Sequence, residues 1–282
     1  MTKGNEISAK TGLAFIGCGV MAESMIAGLL REKIVAARQI VASHPRRDRR
    51  EELKKRYGIK VFADNAAAAK AFHGPDSVVL LCVKPQRMEA VLADLAGAVT
   101  ADQLVISIVA GATIGTIAEM LNSRLVVRAM PNTPSQIGKG MTPWTCSADV
   151  DSGHKQMVKV LLSALGTELF VETENMIDMA TSLSATGPTY TFLVMEAMTD
   201  AGVHLGFSRE VSKELVLQTM LGSVLFAMES HKHPAELRNM VTSPGGTSAE
   251  AIYQMEKGAL RTVLSKAIYG AYRRAVELGK RK

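Results

Sequence analysis

The chain has 282 residues, 47% hydrophobic and 5% aromatic, with a formal net charge of +6. This excludes a disordered or collagen-like chain and suits one large domain or two ordinary ones with a sizeable core. The basic excess, part of it in Lys280, Arg281 and Lys282, favours anionic ligands; without an aromatic-rich basic module it points away from nucleic acid.

Cys18, Cys82 and Cys146 lie far apart, without a C-x-x-C pair, and read as reduced thiols of a cytoplasmic protein. The longest apolar runs, Val78–Val83 and Leu104–Ile114, are too short to span a bilayer, so no membrane partner is expected. Residues 1–11 lack the apolar region of a secretory signal and read as a disordered leader.

Leu13–Ile16 is an apolar run long enough for a buried strand. Gly17, Gly19 and Ala22 follow in the spacing G-x-G-x-x-A, and Met25, Ile26, Leu29 and Leu30 then recur at helical spacing. Strand, glycine turn and helix in that order open a dinucleotide-binding βαβ unit. Gly17 permits the turn, Gly19 lets the backbone approach a pyrophosphate, and the helix N-terminus offers free amides. A tight turn without a ligand would look the same locally.

Gln39–Ala42 is the second strand, followed by Ser43-His44-Pro45-Arg46-Arg47. An acidic residue here would take the ribose 2′-hydroxyl of NAD; hydroxyl, imidazole and guanidinium groups favour the 2′-phosphate of NADP, with NAD still possible. A solvated basic turn opening the helix Asp48–Tyr57 is the plain structural reading.

Lys60–Phe62 is a third strand, and Asp64 or Asn65 caps an alanine-rich helix. Ser77–Val83 and Leu104–Val109 are continuous apolar runs of the kind buried on both faces of a parallel sheet. Thr113–Leu121 reads as a helix and Leu125–Met130 as a sixth strand, with late strands at Met141–Cys146 and Thr167–Val171. The loops Gly17–Met21, Ser43–Arg47, Val83-Lys84-Pro85, Ala110-Gly111 and Pro131–Thr133 all follow strands, at the edge where such sheets bind ligands.

After about Glu172 the strand-like runs stop. Asn175–Ser184, Pro188–Leu205, Arg209–His231, Ala249–Met255 and Leu260–Leu278 read as helices whose apolar faces suit a partner subunit. The fold class is therefore α/β: a Rossmann-like, doubly wound, mostly parallel sheet over residues 1–172, then an all-α dimerisation and substrate domain over 173–282.

In Val241–Glu256, Thr247 and Glu250 have capping-box spacing behind Pro244-Gly245-Gly246. Ser243, Thr247 and Ser248 add hydroxyls, so the loop could hold a carboxylate; on spacing alone an ordinary Pro-Gly-Gly turn before a capped helix fits better. His231-Lys232-His233 has metal-like spacing, but a cationic helix end explains it, and no metal is expected. The 16 methionines read as core filler.

Together these residues resemble the pyrroline-5-carboxylate reductase family from about Leu13 to Leu278. The landmarks are Phe15–Gly19, Ala42–Pro45, Val83-Lys84-Pro85, Ala110-Gly111, Arg128–Pro134, Thr181–Tyr190 and, most specific, Leu237–Glu256. The resemblance implies reduction of 1-pyrroline-5-carboxylate to L-proline by NADPH or NADH, in a homodimer or higher assembly whose helices share each substrate site.

By the same resemblance, Gly17, Gly19, Val20 and Met21 of the glycine-rich turn and Val83, Lys84 and Pro85 border the cofactor, with His44 and Asn65 near the adenosine ribose and its phosphate; Ser43, Arg46, Ala110, Gly111 and Asn132 are added as cofactor contacts from their place at the strand ends. Ser243, Gly246, Thr247 and Ser248 hold the substrate carboxylate, and Thr181 faces the imine nitrogen. The chain departs from the family pattern at Val20, Ala185, Thr186 and Ser248. A reductase of another cyclic imino acid and a non-catalytic paralogue are the alternatives.

Overall fold

A computed structural model describes residues 7–279. The basic residues 280–282 and the first part of the expected leader lie outside it. Residues 8–11 are tied down: Thr11 is fully buried, and Gln39 Nε2 donates to the Ser8 and Thr11 carbonyls at 3.2 and 2.9 Å.

The chain divides into two compact units, one from the described residues of Met1–Thr186 and Ala271–Lys282, the other Gly187–Gly270. The sequence-based boundary at 172 and 173 follows the change in composition. The first compact unit runs past it because helix α7 (Glu174–Ala180) packs on the sheet.

The first unit carries an eight-stranded sheet: β1 (Gly12–Ile16), β2 (Ile40–Ser43), β3 (Lys60–Phe62), β4 (Ser77–Leu81), β5 (Leu104–Ser107), β6 (Val126–Ala129), β7 (Gly140–Cys146) and β8 (Gly166–Phe170). Its order is β3-β2-β1-β4-β5-β6-β7-β8. Every pairing is parallel except β6 with β7. β1, β4 and β5 are buried throughout, as their unbroken apolar runs require, and each stops at the first residues that turn away from the sheet.

Helices α1 (Val20–Arg31), α2 (Arg47–Tyr57), α3 (Asn65–Ala69), α4 (Met88–Leu95), α5 (Ile114–Leu121) and α6 (Ser152–Ser163) cover the faces. Asp64 caps α3 and Thr113 caps α5 through their side chains. Two apolar clusters fill the faces of the sheet, one around Phe15, Met25, Leu29 and Trp144, the other around Ile16, Leu81, Leu92 and Ile117. At the far edge the Trp144 ring meets Phe170 edge-on at 4.9 Å, and its Nε1 donates to Glu168 at 2.5 Å.

The second unit holds α8 (Gly187–His204), α9 (Arg209–Ser230), α10 (Pro234–Met240) and α11 (Thr247–Lys257), and α12 (Leu260–Gly279) starts there. Helix α10 is absent from the sequence reading because it is only 7 residues long and opens on Pro234, a residue that ends helices as readily as it starts them. His233 is its N-cap, the Nδ1 accepting from Ala235 N at 3.1 Å, and His231 ends α9 in the left-handed region. Among the described residues no His, Cys, Asp or Glu group could hold a metal.

Few residues of this unit are buried, and Phe192, Leu193, Leu215, Val224 and Phe226 are exposed. Met25 and Met88 are core filler as expected, whereas Met198, Met228, Met240 and Met255 are exposed, which corrects that reading for these four. Helix α9 is long and apolar enough to cross a membrane by length and composition alone, with its charges confined to Arg209, Glu210, Lys213 and Glu214 at one end and Glu229 at the other.

Glu23, in the first turn of α1, accepts from Tyr57 Oη at 2.8 Å and Arg56 Nη1 at 2.9 Å, and pairs with Arg49. Burial pushes its carboxyl upward, but the bonds from Arg49 and Tyr57 and the two guanidinium charges outweigh this and leave its pKa below the usual carboxylate value. Stabilisation from a depressed carboxylate is present above its unfolded pKa and disappears as pH falls through the folded one. Glu23→Gln should therefore destabilise the protein by about 1–3 kcal/mol near neutrality. Thermal melts against pH should show the gap between variant and parent closing below about pH 4.

Candidate active site

Parallel pairing brings the ends of β1, β2, β4, β5 and β6 to one edge of the sheet. At β1, Gly17 adopts φ +82°, and a Cβ there would lie 2.4 Å from Val83 Cγ1. Any side chain at residue 17 would be strained and would displace Val83, the second residue after β4. The next loop residue, Cys18, is buried, which pushes its thiol up to about 12 and leaves it a neutral apolar filler.

Gly19 is the N-cap of α1 and has no side chain to bond the first amides. A Cβ on Gly19 would meet nothing within 4 Å. The helix therefore begins with its positive end, and the N–H groups of Val20 and Met21, facing open space. The one carboxylate in this first turn, Glu23, is held by the two arginines and so opposes a bound anion less. These features fit the pyrophosphate of a dinucleotide.

Ser43, at the end of β2, is fully buried. Its Oγ accepts from Gly17 N at 3.1 Å and donates to Asn65 Oδ1 at 2.7 Å, while Asn65 Nδ2 donates to Asp94 Oδ2 at 3.3 Å. The Ser43 hydroxyl thus faces the glycine turn and orients Asn65. Asn65 is half-buried, and its amide nitrogen keeps a second proton for a ligand.

His44 is half-buried; burial, with the Arg46 and Arg49 charges, outweighs the Arg46 backbone bond and the Asp48 charge and holds its pKa below the usual imidazole value, which favours the neutral ring. Its Nδ1 accepts from Arg46 N at 3.2 Å, so Nε2 carries the proton and donates. The arginines around it differ in their partners. Arg47 pairs with Glu51, Arg49 with Glu23 and Glu52, and Arg50 donates to the His44 and Pro45 carbonyls. Arg46 is exposed and has a 3.7 Å contact to Asp48.

Lys84 and Pro85 are exposed after β4, and Pro85 opens a 3₁₀ turn. A cleft of about 480 Å³ brings Pro85 together with Ala110 and Gly111, the loop after β5. The last turn of α12 closes one side of it, where a Cβ on Gly111 would lie 2.7 Å from the Leu278 carbonyl oxygen.

After β6, Asn132 is half-buried. Its Oδ1 accepts from Met141 N at 3.0 Å and its Nδ2 donates to Ser184 O at 3.3 Å. Ser184 lies in a π-helical turn, Thr181–Ala185, that continues α7. The Thr186 N–H reaches back five residues to Thr181 O at 2.9 Å, and the Thr186 hydroxyl donates to the same oxygen. Thr181 Oγ1 donates to Ile177 O at 2.7 Å, so its proton is engaged while its lone pairs are available. Ala185 has no positive φ, so the turn accepts alanine where the family pattern has glycine.

In the second unit, the expected capping box does not form. Gly246 is the N-cap of α11 with no side-chain bond, Thr247 is already in the helix, and Glu250 accepts from Gln254 instead. The left-handed residue is Gly245, at φ +69°. Gly246 is extended, and what excludes a side chain there is Ser243 Oγ, 2.4 Å from where its Cβ would stand. The loop leaves the exposed Ser243 and Thr247 and the half-buried Ser248 around an uncapped helix end.

The sequence reading missed Arg128, which is buried in β6 and pairs with Glu174 and Asp178. A guanidinium inside an otherwise apolar strand, with two acids four residues apart on a later helix, was the available signal.

Two family models match the chain: residues 174–278 fit one described as pyrroline-5-carboxylate reductase dimerisation, and residues 12–111 fit one described as NADP oxidoreductase coenzyme F420-dependent. A pyrroline-5-carboxylate reductase of Synechocystis sp. is 40% identical over 269 residues, 95% of this chain and 98% of that one. The same-named protein of Pseudomonas aeruginosa is 41% identical over 267 residues, 94% and 96% of the two chains. A crystal structure of Plasmodium falciparum pyrroline carboxylate reductase with NADP bound superposes with a TM-score of 0.86 at 30% identity, covering 96% of this chain and 99% of that one.

Proposed function

The chain belongs to the pyrroline-5-carboxylate reductase family, and from that premise we propose that it reduces 1-pyrroline-5-carboxylate to L-proline, the last step of proline biosynthesis, in the cytoplasm. The observation that carries the reading is the uncapped, open start of α1 behind Gly17 and Gly19, on a chain similar to reductases from end to end.

When bound, the reduced nicotinamide supplies a hydride to the imine carbon, and the protonated imine becomes the secondary amine. The amides of Val20 and Met21 bind the pyrophosphate, and Ser43 holds the glycine turn and aims Asn65 at the adenosine ribose. His44 Nε2 and Arg46 take the 2′-phosphate, which makes NADPH the preferred cofactor. Val83, Lys84, Pro85, Ala110, Gly111 and Asn132 border the cofactor along the sheet edge.

Thr181 is the proposed catalytic contact. Its hydroxyl proton is held by Ile177 O, so the oxygen accepts from the N–H of the protonated imine and orients it. The loop Ser243–Ser248 binds the substrate carboxylate with hydroxyls and the first amides of α11, Gly246 keeping the backbone close. The exposed apolar faces of the second unit, Phe192, Leu193, Leu215 and Phe226 among them, form a homodimer that completes each substrate site.

NADPH oxidation with racemic pyrroline-5-carboxylate, and rescue of a proline auxotroph, test the activity. The ratio of kcat/KM should favour NADPH over NADH, and Arg46→Asp should lower the NADPH value roughly tenfold or more while sparing NADH; equal losses would remove Arg46 from the phosphate site. Ser243→Ala should raise KM for the imine by an amount worth about 1.5–3 kcal/mol, with cofactor KM and melting temperature nearly unchanged. Light scattering at micromolar concentration should give at least a dimer; an active monomer would refute the shared site.

A further inference from the structure

Arg128 stands in β6 between the buried Val127 and Ala129 and is itself 3% exposed. A guanidinium removed from water is costly unless it is well paired, and an apolar cluster in place of the whole ion-pair set would serve stability as well or better. This one reaches out of the sheet to a single helix. Its Nη1 lies 3.1 Å from Glu174 Oε1 and its Nη2 2.5 Å from Asp178 Oδ1. The two acids are four residues apart in α7, so they share a helix face and fix both position and rotation of the helix.

Glu174 Oε1 also accepts from Ile114 N, the first residue of α5, at 2.8 Å. One carboxylate therefore ties α7 both to β6 and to the helix that follows the Ala110-Gly111 loop. Thr181 comes three residues after Asp178 and bonds its hydroxyl to Ile177 O within α7, so it moves with that helix. On its other side, Asn132 holds the Ser184 carbonyl. The same strand and the loop after it grip the π-turn before and after Thr181.

We propose that Arg128 is a positioning residue for imine reduction, setting the place of the Thr181 hydroxyl through Glu174 and Asp178. This rests on the reading of Thr181 as the imine contact. The pairing accounts for a buried charge where an apolar cluster would suffice: two carboxylates one turn apart, each on its own guanidinium nitrogen, fix the helix in position and rotation.

The test is a double-mutant cycle of Arg128→Lys and Thr181→Val, with Asp178→Asn as the second disruption should the lysine variant not fold. Steady-state kinetics for imine and NADPH are measured well below each melting temperature. Arg128→Lys should lower kcat/KM for the imine roughly ten- to a hundredfold, leave KM for NADPH within about twofold, and cost little further in the Thr181→Val background. Asp178→Asn should do the same. Equal, additive losses with and without the Thr181 hydroxyl would overturn the proposal, as would unchanged imine kinetics in a folded variant. If Thr181→Val alone leaves the imine kinetics intact, the reading of Thr181 fails and takes the proposal with it; if Thr181→Val is defective and Arg128→Lys additive, only the role of Arg128 falls.

Discussion

Parallel pairing of β1 with β2 on one side and β4 on the other is the constraint from which the site follows. It sends the chain off the sheet at one edge after each of these strands, and the three loops must share that space. Gly17 makes this possible, because Val83 occupies the volume where a side chain would stand. Ser43 closes the arrangement by bonding both the Gly17 amide and the Asn65 side chain. Gly17 after β1, Ser43 at the end of β2 and Asn65 after β3 are thereby tied together by the protein's own hydrogen bonds.

The strands were legible because burial on both faces leaves an unbroken apolar signature, as at Val78–Leu81 and Leu104–Ile106. The cap of the alanine-rich helix was legible as Asp64 or Asn65 because side-chain capping is local chemistry, and the structure gives it to Asp64. The box at Thr247 and Glu250 misled: its spacing is compatible with a helix start, but Gly246 precedes it and takes the cap position. The direction of Ser43 could not be read, since a serine at a strand end can face the ligand or the turn, and contacts distant in sequence decide. Arg128 was missed for the same reason, its partners lying 46 and 50 residues away.

The π-turn was also invisible in sequence. Asn175–Ser184 has the pattern of one helix, and the helix does continue, but the Thr186 N–H bonds five residues back to Thr181 O. Such turns place an extra residue in the ladder and are frequent at functional sites. Here the widened turn begins at the threonine that the proposed chemistry needs.

Trp144 is the chain's single tryptophan, fully buried at the β7–β8 edge against Phe170. Intrinsic emission is therefore a private probe of that edge of the sheet. The helices α8 to α11 could melt without changing it, whereas far-ultraviolet circular dichroism registers them strongly. Overlaying the two optical signals through a denaturant titration would show whether the helical unit and the sheet lose structure together or in separate steps.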